Sequence, residues 1–151
     1  MISATHFHAM VVHFPIALLL AGFGFEVLSM VFRQPSFSQT SFYLLVAGTL
    51  GSVVSYFAGR SAGAGMEEGD LAAAMDLHAR AATIATVLAI ATVSMYGYRM
   101  RFRLEQGWTK WVSVLLFAAT VGAVAQTGYY GGQLVFRHGA GVELGLPDFS
   151  K

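Results

Sequence analysis

Four apolar runs divide the chain: about 9–32, 42–58, 77–98 and 108–135. Each approaches or exceeds the roughly 20 residues that carry a helix across a bilayer. Runs of this length leave a chain few choices. In hydrocarbon every backbone N–H and C=O must be satisfied within the segment, so a spanning segment of this kind is helical. The reading is therefore all-α: an integral membrane four-helix bundle, one domain over 1–151. Composition agrees. Charged residues make up 11% of the chain and apolar residues 56%, against about 25% charged in soluble domains.

The first run competes with a cleavable signal peptide, which opens on a basic stretch. Here no Lys or Arg precedes Pro15, and the run continues to Phe32, so a retained helix is expected. Pro15 fits a first helical turn or kinks the chain. The stretch Ser36–Ser41 reads as a polar turn. The second run carries Ala47, Gly48, Gly51, Ser52 and Ser55, small residues that let helices approach closely in lipid. Leu71–His78 would start the third helix early, and the tail from Arg137 to Lys151 reads as irregular. Tyr96, Tyr98, Trp108 and Trp111 suit an interfacial aromatic belt.

Four spans place both termini and the 60–76 connection at one end. The short-loop end holds Arg33, Arg99, Arg101, Arg103 and Lys110 against Glu105. The terminus end holds Arg60, Arg80, Arg137 and Lys151 against Glu67, Glu68, Asp70, Asp76, Glu143 and Asp148. The positive-inside rule then makes the short-loop end cytoplasmic. The expected location is a bacterial inner membrane, multi-pass, with both termini periplasmic.

Several chemistries are excluded at once. The chain has no cysteine, hence no disulfide, thiolate metal site or iron–sulfur cluster. A net charge of +1 gives no footprint for nucleic acid. No P-loop, dinucleotide fingerprint or nucleophile–base pair is present.

What remains is histidine. His6, His8, His13, His78 and His138 are scattered along the chain, yet the topology gathers all five at the terminus end. For any one of them an interfacial role is the plain alternative, and His6 fits it best. As a group they suit b-type haem, which needs two axial imidazoles from facing helices. Gly63, Gly65, Gly128, Gly131, Gly132, Gly139 and Gly141 would clear space. Arg60, Arg80 and Arg137 would pair with propionates, and Phe7, Phe14, Tyr129, Tyr130 and Phe136 would line the ring edge. Those glycines and aromatics also serve simple packing and a belt. A bare metal held by several His is the alternative, with Asp76 near His78 as ligand or orienter. His8 and His13 lie about 140° apart on an ideal helix, so they do not share a face. Glu26 is the single acid inside a run, toward its cytoplasmic end, suited to a proton relay, a quinone contact or a structural bond. Gln126 is expected to hydrogen-bond between helices.

Two segments carry a resemblance. His8-Ala-Met-Val-Val-His13-Phe-Pro-Ile resembles the HPxxVHFPI opening of a bacterial family described only as predicted membrane proteins. Tyr130-Gly-Gly-Gln-Leu-Val-Phe-Arg-His138-Gly-Ala-Gly-Val resembles that family's closing YGGxLVYxHGxGV, and His78-Ala79 matches a central His-Ala pair. The chain departs from the pattern at Ala9, where the family has Pro, and at Phe136, where it has Tyr. The resemblance implies a four-helix membrane domain similar to small b-type cytochromes, relatives of which are joined to c-type cytochrome domains. By position His8, His13, His78 and His138 are the family's histidines, and His6 is not. The expectation is an electron-transfer subunit holding one or two haem b groups, rather than a stand-alone enzyme. Axial ligands would come from His13, His78 and His138, with His8 as fourth candidate. Its partners would be other membrane redox subunits or a periplasmic cytochrome c. A non-haem metal-binding protein or a structural accessory subunit are the alternatives.

Overall fold

The structure is a computed structural model that describes residues 2–64, 69–104 and 107–142. Of the residues weighed above, Gly65, Glu67, Glu68, Glu105, Glu143, Asp148 and Lys151 lie outside that set. Five helices follow in order: α1 (Ala4–Val11), α2 (His13–Phe32), α3 (Pro35–Ala62), α4 (Gly69–Phe102) and α5 (Trp108–His138). Together α1 and α2 make one span, and α3, α4 and α5 make three more, each long and apolar enough to cross a bilayer.

Local chemistry sets the boundaries. Ser3 caps α1, its hydroxyl accepting the His6 N–H at 3.2 Å. Pro15 brings no N–H to the first turn of α2, and α1 gives way to α2 at Val12, just ahead of it. Arg33 ends α2 in the left-handed region at φ 54°, and Gln34 is extended, the conformation a following proline imposes. Pro35 then opens α3 at its first position, where its fixed φ helps and its missing N–H is not needed. The stretch Ser36–Ser41, expected as a turn, is therefore helical. The early start expected for the third span is present, from Gly69. Gly139 closes α5 at φ 61°, its N–H returning to the Leu134 and Val135 carbonyls.

The helices run antiparallel in two hairpins, α1/α2 with α3 and α4 with α5, joined side by side through α3 and α4 and closed by a lighter α2–α5 seam. Adjacent helices touch; α2 and α4 face one another diagonally across the bundle axis. The α2–α3 seam is built on missing side chains. Gly51 makes room for Pro15, Gly48 for Leu19, and Gly22 for Leu44 and Phe117. Each step of three or four residues up α2 is matched by a similar step down α3. A Cβ on Gly48 would stand 2.8 Å from Leu19 Cγ and 3.2 Å from the Leu19 backbone nitrogen. Backbone cannot yield, so Gly48→Ala is expected to push α2 and α3 apart and destabilise the bundle by about 1–3 kcal/mol, measured by denaturation in mixed micelles.

The interior mixes apolar and hydroxylated side chains. Leu19, Leu45 and Phe117 are fully buried, but so are Ser41, Thr92, Ser113 and Thr120. Thr92 and Thr120 hydroxyls meet at 2.9 Å, and each also reaches its own helix's carbonyl four residues back. Meanwhile Phe14, Leu50, Val54, Phe57, Ile84, Val87 and Leu115 are exposed. Small and hydroxylated residues inside with large apolar ones outside is how helices pack in lipid. Trp108, Trp111 and Tyr98 are exposed near the short-loop end, as a belt requires. Tyr96 is not: it is 4% exposed and packs edge-on against Phe117, because its helical position continues the inward stripe Ala85, Ala89, Thr92. Gln126, expected to bond between helices, is instead exposed on α5.

Candidate functional site: a paired histidine centre

Two of the four candidate histidines meet. His8, on α1, and His78, on α4, face each other across the bundle axis with ring centroids 6.4 Å apart and planes at 81°. Both are part-buried.

Each ring is fixed in the same way. His8 Nδ1 lies 3.1 Å from the Ser55 carbonyl of α3, and His78 Nδ1 lies 3.1 Å from the Thr127 carbonyl of α5. A carbonyl only accepts, so each Nδ1 must carry the proton and donate it. In the neutral ring that leaves the Nε2 lone pair free. One turn beyond each carbonyl stands a glycine against the same ring. A Cβ on Gly59 would lie 2.8 Å from His8 Cε1, and one on Gly131 would lie 3.2 Å from His78 Cε1. The two hairpins thus repeat one device: a histidine from the first helix, and a carbonyl with a glycine four residues later from the second.

The spacing has a chemical meaning. With metal–nitrogen bonds of about 2.0 Å and roughly 1.1 Å from nitrogen to ring centre, imidazoles on opposite sides of one ion stand about 6.2 Å apart; tetrahedral neighbours stand about 5.1 Å apart. The observed 6.4 Å suits the first arrangement. Near-perpendicular rings are compatible with it, since each plane contains its own metal–nitrogen bond. Among the described residues no three His, Cys, Asp or Glu side chains gather as a metal site.

The remaining candidates stand apart. His13 is exposed, its Nδ1 donating to the Ala9 carbonyl at 2.7 Å, beside a shallow outer groove with Phe14, Ala17 and Leu18. The separation of His8 and His13 around the helix is as expected. His138 ends α5 and is exposed. His6 bonds only locally, to Ser3. Asp76 does not orient His78; it pairs with Arg80 at 2.9 Å on the exposed face of α4. Arg60 and Arg137 are exposed in the last turns of α3 and α5. Phe7, Phe14, Tyr129 and Phe136 point outward. Of the glycines expected to clear space, Gly131 is filled by His78, Gly63 faces Met75 and Gly141 faces Thr5, while Gly128, Gly132 and Gly139 have open space on that side.

Two features were not anticipated. Ser55 Oγ and Gln133 Oε1 are buried without a partner. Ser55 is the residue whose carbonyl holds His8, whereas Gln133, two residues past Gly131, projects from a different side of α5. Such atoms call for a bound group or water. In addition, α1 makes no close backbone approach to α4 or α5 among the described residues, so the bundle is less tightly closed around the pair than along α2–α3.

A family model for predicted membrane proteins, DUF2231, matches residues 4–144. The chain belongs to that family. The DUF2231 match spans the opening motif, the central His78-Ala79 and the whole of the closing motif, which ends at Val142. Its description extends no further than the membrane, so the likeness to small b-type cytochromes rests on the sequence motifs alone. No curated protein matches the chain, and no solved structure does.

Proposed function

We propose that this DUF2231 protein is a haem b-binding membrane subunit that serves electron transfer from the end of the bundle where its termini lie. The observation that carries this reading is the His8–His78 pair. The two rings come from diagonal helices, are locked by backbone carbonyls, and stand at the separation of ligands on opposite sides of one ion.

The residues fit the group at the level of its ligands. His8 and His78 would hold the iron, and a single pair favours one haem over two. Haem b held by two imidazoles supplies a one-electron couple whose potential depends on ligand basicity and burial. The chain's own contributions are separable from that chemistry. The Ser55 and Thr127 carbonyls select the Nδ1–H tautomer and steady each ring, as outer-shell acceptors do for metal-bound His. The glycines let both rings approach the opposing helices. Arg60 and Arg137, exposed in the last turns of α3 and α5, would be the cations to meet propionates, Arg80 being paired with Asp76. The charge asymmetry of the loops supports a periplasmic position for this end, where a soluble cytochrome c or a neighbouring redox subunit would reach it.

The test is a reduced-minus-oxidised visible spectrum of protein purified from native membranes in mild detergent, with a pyridine haemochrome assay. The α-band and Soret shift of a low-spin bis-histidine b haem are expected. A featureless spectrum from folded protein would discard haem. Metal analysis would then separate a bare ion held between the same two nitrogens from a colourless accessory subunit.

A further inference from the structure

The opposite end of the bundle holds a second polar cluster, unconnected to the histidines. Glu26 is 3% exposed, with Oε2 unpartnered. Tyr96 is 4% exposed, and its hydroxyl lies near the Glu26 carboxyl without closing a hydrogen bond. Ser41 is fully buried, and its Oγ is unpartnered. Thr109 is 5% exposed with Oγ1 unpartnered, while its carbonyl accepts from the fully buried Ser113.

These residues share one region of the fold. The α2–α3 register sets Gly22 against Leu45. One turn further along each antiparallel helix toward the short loops come Glu26 and Ser41. Tyr96 reaches this level from α4, packed on Phe117, and Ser113 and Thr109 continue α5 in the same direction. So α2, α3, α4 and α5 each contribute a buried oxygen donor or acceptor. Leu19, Leu45 and Phe117, all fully buried, separate the cluster from the Thr92–Thr120 pair and the histidines beyond. Arg99 stands over the Tyr96 ring at 5.4 Å, on the side toward the short loops.

Unpartnered buried oxygens from four helices are not left dry in a stable bundle; buried waters fill such sites. The donor set is all oxygen with one carboxyl, and the nearby Arg99 guanidinium disfavours a second positive ion there. The occupants this chemistry selects are water and a proton.

We infer that Glu26, with Tyr96, Ser41 and Thr109, forms a hydrated proton-exchange site at the short-loop end of the bundle. The site takes a proton from bulk water: the Glu26 carboxylate and a hydronium ion become the carboxylic acid and water, and release is the reverse. No redox partner is needed. Glu26 lies about 9 Å along α2 from the helix end at Phe32, and about 27 Å along α1 and α2 from His8. The site therefore stands whether or not a metal binds the histidines. Among the described residues Tyr96 is the ionisable group beside the carboxyl, with Arg99 over the Tyr96 ring; α3 and α5 present hydroxyls.

The experiment is infrared spectroscopy of the protein in phosphatidylethanolamine/phosphatidylglycerol liposomes, wild type against Glu26→Gln, across pH in H2O and D2O. A protonated-carboxyl C=O band is expected that disappears as pH rises, shifts down promptly in D2O, and is missing from Glu26→Gln. In Tyr96→Phe the band should persist at an altered frequency. No wild-type-minus-Glu26→Gln difference, a band that does not titrate, or one indifferent to D2O would overturn the inference. Should Glu26→Gln fail to insert, Tyr96→Phe decides: unchanged frequency and midpoint would overturn it as well.

Discussion

Replacing His78 with Ala, or His8 with Ala, is expected to strip the protein of haem, while His13→Ala and His138→Ala keep it. Each of the first two removes one imidazole of the pair that the haem reading makes the ligands. The remaining imidazole cannot hold the iron in a low-spin state alone. Loss of an outer-shell partner already weakens metal binding by about 10–100-fold, so loss of a ligand should exceed about 100-fold. Haemochrome content per mole of protein, read after purification from cells supplied with haem, checks this directly. The fold should survive, because neither ring belongs to the buried seam of Leu19, Leu45 and Phe117. Retention of haem in both His8→Ala and His78→Ala, with loss in His13→Ala, would move the ligand set to the outer face of α2.

That contrast between His8 and His13 rests on the helix itself. The two are five residues apart, and the α1–α2 boundary at Val12 does not bring them to one face. His8 reaches Ser55 on α3, whereas His13 turns back to its own helix at Ala9. A histidine bonded to its own preceding turn and open to the exterior is placed as an interfacial residue. One bonded across to a neighbouring helix, with its ring beside another imidazole, is the one the haem reading takes as a ligand.

The fold was legible because hydrocarbon permits so little. Four long apolar runs allow only helices, and four helices with short links can only alternate in direction. Helix ends were less legible: Ser36–Ser41 looks like a turn by composition, but Pro35 at the first helical position outweighs its polarity. Of the site, the topology placed the histidines at one end, which is a matter of counting spans. It did not choose the pair, because that depends on how far around each helix a residue sits and which carbonyl lies opposite. The glycines misled for a related reason. Gly131 looks in the sequence like room for a porphyrin, but the room is used by His78. The same applies to Tyr96, whose place near a span end suggested the interface although its helical phase points inward. A stripe check, comparing Tyr96 with Ala85, Ala89 and Thr92 at spacings of three and four, would have found it.

Gly59→Ala should weaken haem binding with little harm to the bundle, and this separates a site built for ligation from mere close packing. The added Cβ would stand 2.8 Å from His8 Cε1, 3.2 Å from Nδ1 and 3.4 Å from Nε2. What it meets is the free end of a side chain, not backbone, so α1 and α3 need not move. The imidazole must swing aside instead. That breaks the Nδ1 bond to the Ser55 carbonyl and moves the His8 ring from its place beside His78. Losing that orienting bond alone is worth about 10–100-fold in metal affinity. Gly131→Ala is milder, because the corresponding contact to His78 is 3.2 Å and a few tenths of an ångström relieve it. The expected order of haem content is wild type, then Gly131→Ala, then Gly59→Ala, with far-ultraviolet circular dichroism unchanged in all three. If both variants bound haem like wild type, the His8 ring would not be held where the ligation reading requires it. If Gly59→Ala lost helicity together with haem, the glycine would serve the α1–α3 contact first and the histidine second.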